Sequence, residues 1–114
     1  MLRNKYGAKK VKTEEGTFDS KKEYKRWLEL KQMAENGLIT DLERQVKYEL
    51  IPSQKGIERN EKPCYYIADF VYHRGSKQIV EDVKGQRKGS TGWSMYVIKR
   101  KLMKQVYDIE IIEV

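Results

Sequence analysis

Hydrophobic and polar residues change period several times along this chain, and each change marks an element. Residues 1–17 show no regular period and read as a basic arm or a short hairpin turning near Gly16. Phe18-Asp19-Ser20-Lys21-Lys22-Glu23 reads as a helix start, with Ser20 as N-cap and Glu23 three residues on, as a capping box requires. Tyr24, Trp27, Leu28, Leu30 and Ala34 follow at helical spacing, and Asn36-Gly37 ends the run. Leu42, Arg44, Val46, Tyr48 and Leu50 then alternate with Glu43, Gln45, Lys47 and Glu49, the period of a half-buried strand. Pro52 to Pro63 is a polar loop.

Cys64 to Tyr72 is aromatic and β-branched, hence a strand. His73-Arg74-Gly75-Ser76 is a turn, and Lys77 to Lys84 is the returning strand. Gly85 to Gly92 is a basic loop with three glycines. Ser94 to Val106 reads as a helix with Tyr96, Val97, Leu102, Met103 and Val106 as its apolar positions. Tyr107 to Val114 closes the chain as a strand. The order is helix-strand-strand-strand-helix-strand. The first three strands can be antiparallel neighbours, and the strand-helix-strand end predicts a right-handed parallel crossover. The expected class is α/β (α+β), a mixed sheet flanked by helices. One domain over 18–114 follows the basic arm.

Composition narrows what such a domain does. The chain has 114 residues, which suits one domain. No apolar run approaches the roughly 20 residues of a spanning helix, and no apolar leader segment is visible. A cytoplasmic protein is expected. One cysteine and one histidine exclude a disulfide framework, a cysteine zinc cluster and His-rich metal sites. Chemistry here must use carboxylates, lysines or hydroxyls.

The formal net charge is +7, which suggests a polyanionic partner or simply a soluble basic surface. Its distribution is uneven. Arg3, Lys5, Lys9, Lys10 and Lys12 stand in an arm without acids as far as Lys12. Lys84, Arg87 and Lys88 form a second group, and Lys99, Arg100, Lys101 and Lys104 a third.

The hairpin carries the candidate chemistry. In Val80-Glu81-Asp82-Val83-Lys84, Asp82 and Lys84 share one face, roughly 7 Å apart along the strand. The preceding strand holds Asp69 among apolar neighbours, a poor place for a carboxylate by propensity and by desolvation. Two carboxylates on adjacent strands and a backbone carbonyl, that of Val83, are enough to hold magnesium, which keeps several waters. A lysine beside them can orient or deprotonate a water, or stabilise developing negative charge. Asp69 at a strand end and an exposed Asp82–Lys84 ion pair would be the plain alternative. Glu81 is the competing acid, although alternation puts it on the opposite face. Glu23 either completes its capping box or, on the stripe of Trp27, Leu30 and Ala34, faces the sheet and meets a metal or its waters.

These residues resemble the PD-(D/E)xK nuclease superfamily, with its restriction-endonuclease-like core. The resemblance lies in Ser20-x-x-Glu23 on the first helix, Asp69, Asp82-x-Lys84 and the order of elements. More closely, four segments resemble a family of small bacteriophage endonuclease-like proteins of formerly unknown function. They are Lys5 to Lys10, Phe18 to Glu23, Ala68-Asp69-Phe70 and Val80 to Gly85. Ala68 stands where the superfamily pattern has proline.

The resemblance implies Mg2+- (or Mn2+-) dependent hydrolysis of DNA phosphodiesters, in phage DNA processing or branched-DNA resolution. It makes Asp69 and Asp82 metal-binding acids, Lys84 the catalytic lysine and Glu23 a supporting acid. Val83 contributes its carbonyl. DNA contacts are expected from Lys9, Lys10, Arg87, Lys88 and Lys99. Gln45 and Lys99 resemble polar positions that some relatives place near the site; either can equally be a solvated surface residue. A single domain of this size that cuts both strands would do so as a homodimer. The competing expectation is a non-catalytic nucleic-acid-binding or regulatory protein that keeps the fold. Of the remaining residues, Cys64 is expected to pack within its strand, and Trp93 to enter the core or stack on a base.

Overall fold

The computed structural model describes residues 10–83 and 89–114. Its elements are β1 (Val11–Thr13), β2 (Gly16–Phe18), α1 (Lys21–Glu35), β3 (Thr40–Ile51), β4 (Gln54–Lys55), β5 (Asn60–Glu61), β6 (Cys64–Arg74), β7 (Lys77–Asp82), α2 (Trp93–Tyr107) and β8 (Ile112–Glu113). The principal sheet has the order β3-β6-β7-β8. β6 runs antiparallel to both β3 and β7, and β8 lies parallel to β7. The chain is therefore an α+β protein with a mixed sheet and two helices. Among the described residues no helix is long and apolar enough to cross a membrane.

Local chemistry explains the helix ends. Ser20 is extended, and its Oγ accepts the Glu23 N–H at 3.1 Å. At the other end Gly37 takes φ +75, a left-handed value that glycine adopts without a Cβ penalty. It lets the Leu38 N–H return to the Met33 carbonyl at 2.9 Å. α2 begins at Gly92 with no side-chain cap.

Several boundaries differ from the sequence expectation. Phe18 belongs to β2 and is fully buried, so the helix starts after it. The Pro52–Pro63 loop contains the small β4–β5 ladder. β7 stops at Asp82, two residues short of Lys84. The closing strand shrinks to Ile112–Glu113, because α2 runs on to Tyr107 and left-handed Asp108 caps it. Ile109 and Ile111 then pack into the core instead of extending the ladder.

Two apolar clusters lie on opposite faces of the sheet. Leu30 of α1 meets Phe70, Tyr72 and Ile79 on one face, with Trp27, Ala34 and Leu42 beside them. Tyr96 and Met103 of α2 meet Tyr66, Ala68, Val71 and Val80 on the other, with Val46, Tyr48 and Leu50. Residues 79 and 80 alternate faces as a strand should. On β6, however, Tyr66 and Ala68 face α2, whereas Phe70 and Tyr72 face α1. On β3, Leu42 faces α1, whereas Val46, Tyr48 and Leu50 face α2. Both strands thus invert their faces in the same row. The register holds through it, with Arg44 paired to Phe70 and Val46 to Ala68. Gln45, between them on β3, has φ +55, which supplies the inversion.

Candidate functional site

The inverted row is where the candidate acids gather. The β3–β6 register sets Gln45 opposite Asp69. The β6–β7 register pairs Phe70 with Glu81, so its continuation by one residue sets Asp82 opposite Asp69. α1 lies over the same row and contributes Glu23 from its first turn.

Glu23 is 2% exposed. Its Oε2 accepts the Asp19 N–H at 2.8 Å, one residue earlier than a capping box would have it. Its Oε1 accepts the Gln45 side-chain amide at 2.9 Å. The same Nε2 donates to Asp69 Oδ1 at 3.2 Å. Asp69 Oδ2 accepts the Val83 N–H at 2.7 Å. Asp82 Oδ1 accepts the Tyr66 hydroxyl at 3.2 Å. Glu23 therefore serves both readings of it, since its backbone joins the cap while its carboxyl turns to the sheet. Val83 enters through its N–H in these contacts.

Burial sets the electrostatics. Among the described residues neither Glu23 nor Asp69 has a lysine or arginine partner. Loss of water pushes the Glu23 carboxyl up to about 7, and the neighbouring Asp69 adds to the rise. Loss of water also pushes Asp69 up to about 6, with the Asp82 charge adding to it. The Val83 N–H, a hydrogen bond shared with Glu23 and the Gln45 amide hold Asp69 back from rising further.

Glu81 faces α1, opposite to Asp82. It is 1% exposed, and its carboxylate binds the Arg26 guanidinium and accepts the Tyr72 hydroxyl. Its two oxygens are fully engaged in that pair. Lys99 is half-buried and lines a cleft with Asp82 and Val83. Lys10 is exposed. Lys9, Lys84, Arg87 and Lys88 lie outside the described residues. Cys64 is exposed rather than packed, because it begins its strand where the β3–β6 register shifts. Trp93 packs against the α2-side core.

The donors are all oxygen, which suits a hard cation such as Mg2+ or Mn2+. Among the described residues no three His, Cys, Asp or Glu groups are close enough together to hold a metal ion. The Gln45 amide lies between Glu23 and Asp69. Asp69 and Asp82 stand opposite each other on neighbouring strands, and Glu23 reaches Asp69 through the Gln45 amide. Glu23 and Asp69 are the two acids raised by burial, and among the described residues neither has a cationic partner. The pattern of alternation gave no signal for Gln45, Tyr66 or Arg26. Gln45 lies among the outward positions of β3 and stays exposed, but its left-handed backbone turns its amide to Glu23 and Asp69.

The chain matches, over residues 3–112, the family described as "Protein of unknown function (DUF1064)", and it belongs to that family. No curated protein and no solved structure matches it.

Proposed function

We propose that the chain is a magnesium- or manganese-dependent DNA endonuclease with a restriction-endonuclease-like core. The observation that carries the proposal is the row Gln45–Asp69–Asp82 with Glu23 above it. Two of its acids are raised by burial, without a cationic partner among the described residues, inside a chain of net charge +7. Asp69 and Asp82, with the Val83 carbonyl, would hold the cation. A bound divalent ion would polarise the scissile phosphate and make a bound water more acidic. Glu23 and Gln45 fix the Asp69 carboxylate from the α1 side. Lys84, two residues beyond Asp82, positions or deprotonates the attacking water. Lys9, Lys10, Arg87, Lys88 and Lys99 hold the DNA backbone. Cutting both strands would take a homodimer.

One observation favours the non-catalytic alternative: an amide, not an open point, lies between Glu23 and Asp69. A cleavage assay on plasmid and branched DNA with Mg2+ or Mn2+ decides between the two. Cutting that is lost in Lys84→Ala and Asp82→Asn supports the nuclease. DNA binding without cutting in the parent chain supports the alternative.

A further inference from the structure

Beside Asp82 opens a cleft of about 860 Å³, between the start of β6 and the first turns of α2. Tyr65, Ile67 and Met95 form apolar walls, and Lys47 and Lys99 also line it. Ile67 is 51% exposed and Met95 58%. The Lys47 ammonium lies 4.0 Å from the centre of the Tyr65 ring, which steadies that ring at the cleft wall. Among the described residues neither lysine has a carboxylate within ion-pair distance.

A second and smaller cleft, about 320 Å³, is lined by Lys22, Lys25 and Arg26 of α1. Val83 lines both clefts, so they meet at the end of β7. The two differ in kind. In the α1 cleft the Lys22 and Lys25 ammonium groups are the cations that can meet a phosphate backbone, since Arg26 is held by Glu81 and by Glu29, which also lines that cleft. The α2 cleft combines two lysines with an aromatic ring and two exposed apolar side chains. That combination suits a phosphate carrying a flat apolar group. Within a duplex the bases are stacked and their faces covered, so the occupant must lie outside a duplex.

We propose that the α2 cleft is a subsite for an unpaired nucleotide next to the phosphate that a cation at Asp82 would hold, while the α1 lysines hold neighbouring duplex. The substrate is then a junction between single-stranded and double-stranded DNA. This subsite rests on the nuclease proposal for its chemistry, but it is tested by binding.

The test is fluorescence anisotropy of the full chain in chelator with three labelled DNAs: a blunt duplex, the same duplex with a short unpaired extension, and a single strand. The extended duplex is expected to bind on the order of tenfold tighter than the blunt one, as one base–aromatic stack can provide. Tyr65→Ala reduces that ratio to under about threefold. Ile67→Glu, at an exposed position, does the same without disturbing the core, which a thermal melt checks. Lys22→Gln with Lys25→Gln weakens both duplexes, keeps their ratio and lowers the salt slope by about 2.

Equal affinity of the parent chain for blunt and extended duplex overturns the subsite, as does a ratio unchanged in both Tyr65→Ala and Ile67→Glu. DNA-independent self-association that either substitution abolishes also overturns it, by assigning the cleft to a second copy. Cleavage with Mg2+ separates the two proposals. Equal cutting of blunt and extended duplex removes the subsite and keeps the nuclease. Preferential binding without cutting does the reverse.

Discussion

Arg26 grips Glu81 with two parallel hydrogen bonds, Nε to Oε1 at 2.8 Å and Nη2 to Oε2 at 2.7 Å. Arg26 is three residues beyond Glu23 on α1, and Glu81 precedes Asp82 on β7. The fork therefore ties the helix that carries one candidate acid to the strand that carries another. Glu81 is buried and Arg26 only partly so. Removing the guanidinium leaves a charge without a partner in the core. Arg26→Met is expected to lower stability by about 3 kcal/mol. Adding Glu81→Gln, which removes the stranded charge and keeps an acceptor for Tyr72, should recover at least half of that. Urea denaturation of the parent, single and double variants measures both.

The acids of the row make stability depend on pH in a defined direction. Glu23 and Asp69 hold their protons in the folded chain to about 7 and about 6, against 4.5 and 3.8 as ordinary values. Folding thus binds protons between those limits. The metal-free protein is expected to lose stability as pH rises from about 4 to about 7, with no further change from these groups above that. A divalent cation binds the ionised forms, so Mg2+ should raise the melting temperature more at pH 8 than at pH 5. Asp69→Asn should weaken both the pH dependence and the response to Mg2+. Thermal melts in chelator and in Mg2+, across pH, test the set.

Gln45 stores backbone strain at the centre of the row. Only glycine takes φ +55 without the Cβ penalty. Gln45→Gly and Gln45→Ala both remove the amide, so their difference isolates the backbone. The glycine variant is expected to be more stable than the alanine variant by about 1 kcal/mol. Both should lose the hydrogen bonds to Glu23 and Asp69, visible as shifted carboxyl carbon resonances in a pH titration.

The β1–β2 hairpin is held by a different contact. The Arg44 guanidinium lies 3.7 Å from the centre of the buried Phe18 ring, and its Nη2 donates to the Thr17 carbonyl at 2.9 Å. A lysine keeps the charge but loses the flat stacking face. Arg44→Lys is expected to destabilise the chain by about 1 kcal/mol. It should also speed limited proteolysis at Glu14 and Glu15, with mass spectrometry locating the cut.

Much of this architecture was legible in the residues. Ser20 and Asn36-Gly37 mark the first helix because capping chemistry is local. The alternation in Leu42 to Leu50 marks β3, and the turn at Gly75 marks the β6–β7 hairpin. The inversion was not legible. Leu42 and Val46 have the same parity, so alternation alone puts them on one face; a single left-handed residue sends them to opposite cores. Asp69 stands out as a carboxylate in an apolar strand, and Asp82 by its spacing from it. Gln45 stands out only through the resemblance and Arg26 not at all, because their roles arise from contacts across 24 and 55 residues of chain. The closing strand is present but shorter than its pattern, because Ile109 and Ile111 are apolar to cover α2-side core, and that looks like a strand in sequence.

The face inversion also has a mechanical side. Each helix covers its own apolar cluster, and the clusters sit on opposite sides of one sheet. At the row of Gln45 and Asp69, β3 passes from one cluster to the other, and beyond it β6 serves both, through Phe70 and Val71. Anything bound in that row fastens the two halves together, as a rivet joins two plates. Filling it should slow hydrogen exchange in α1 and α2 alike, although neither helix touches the other's core.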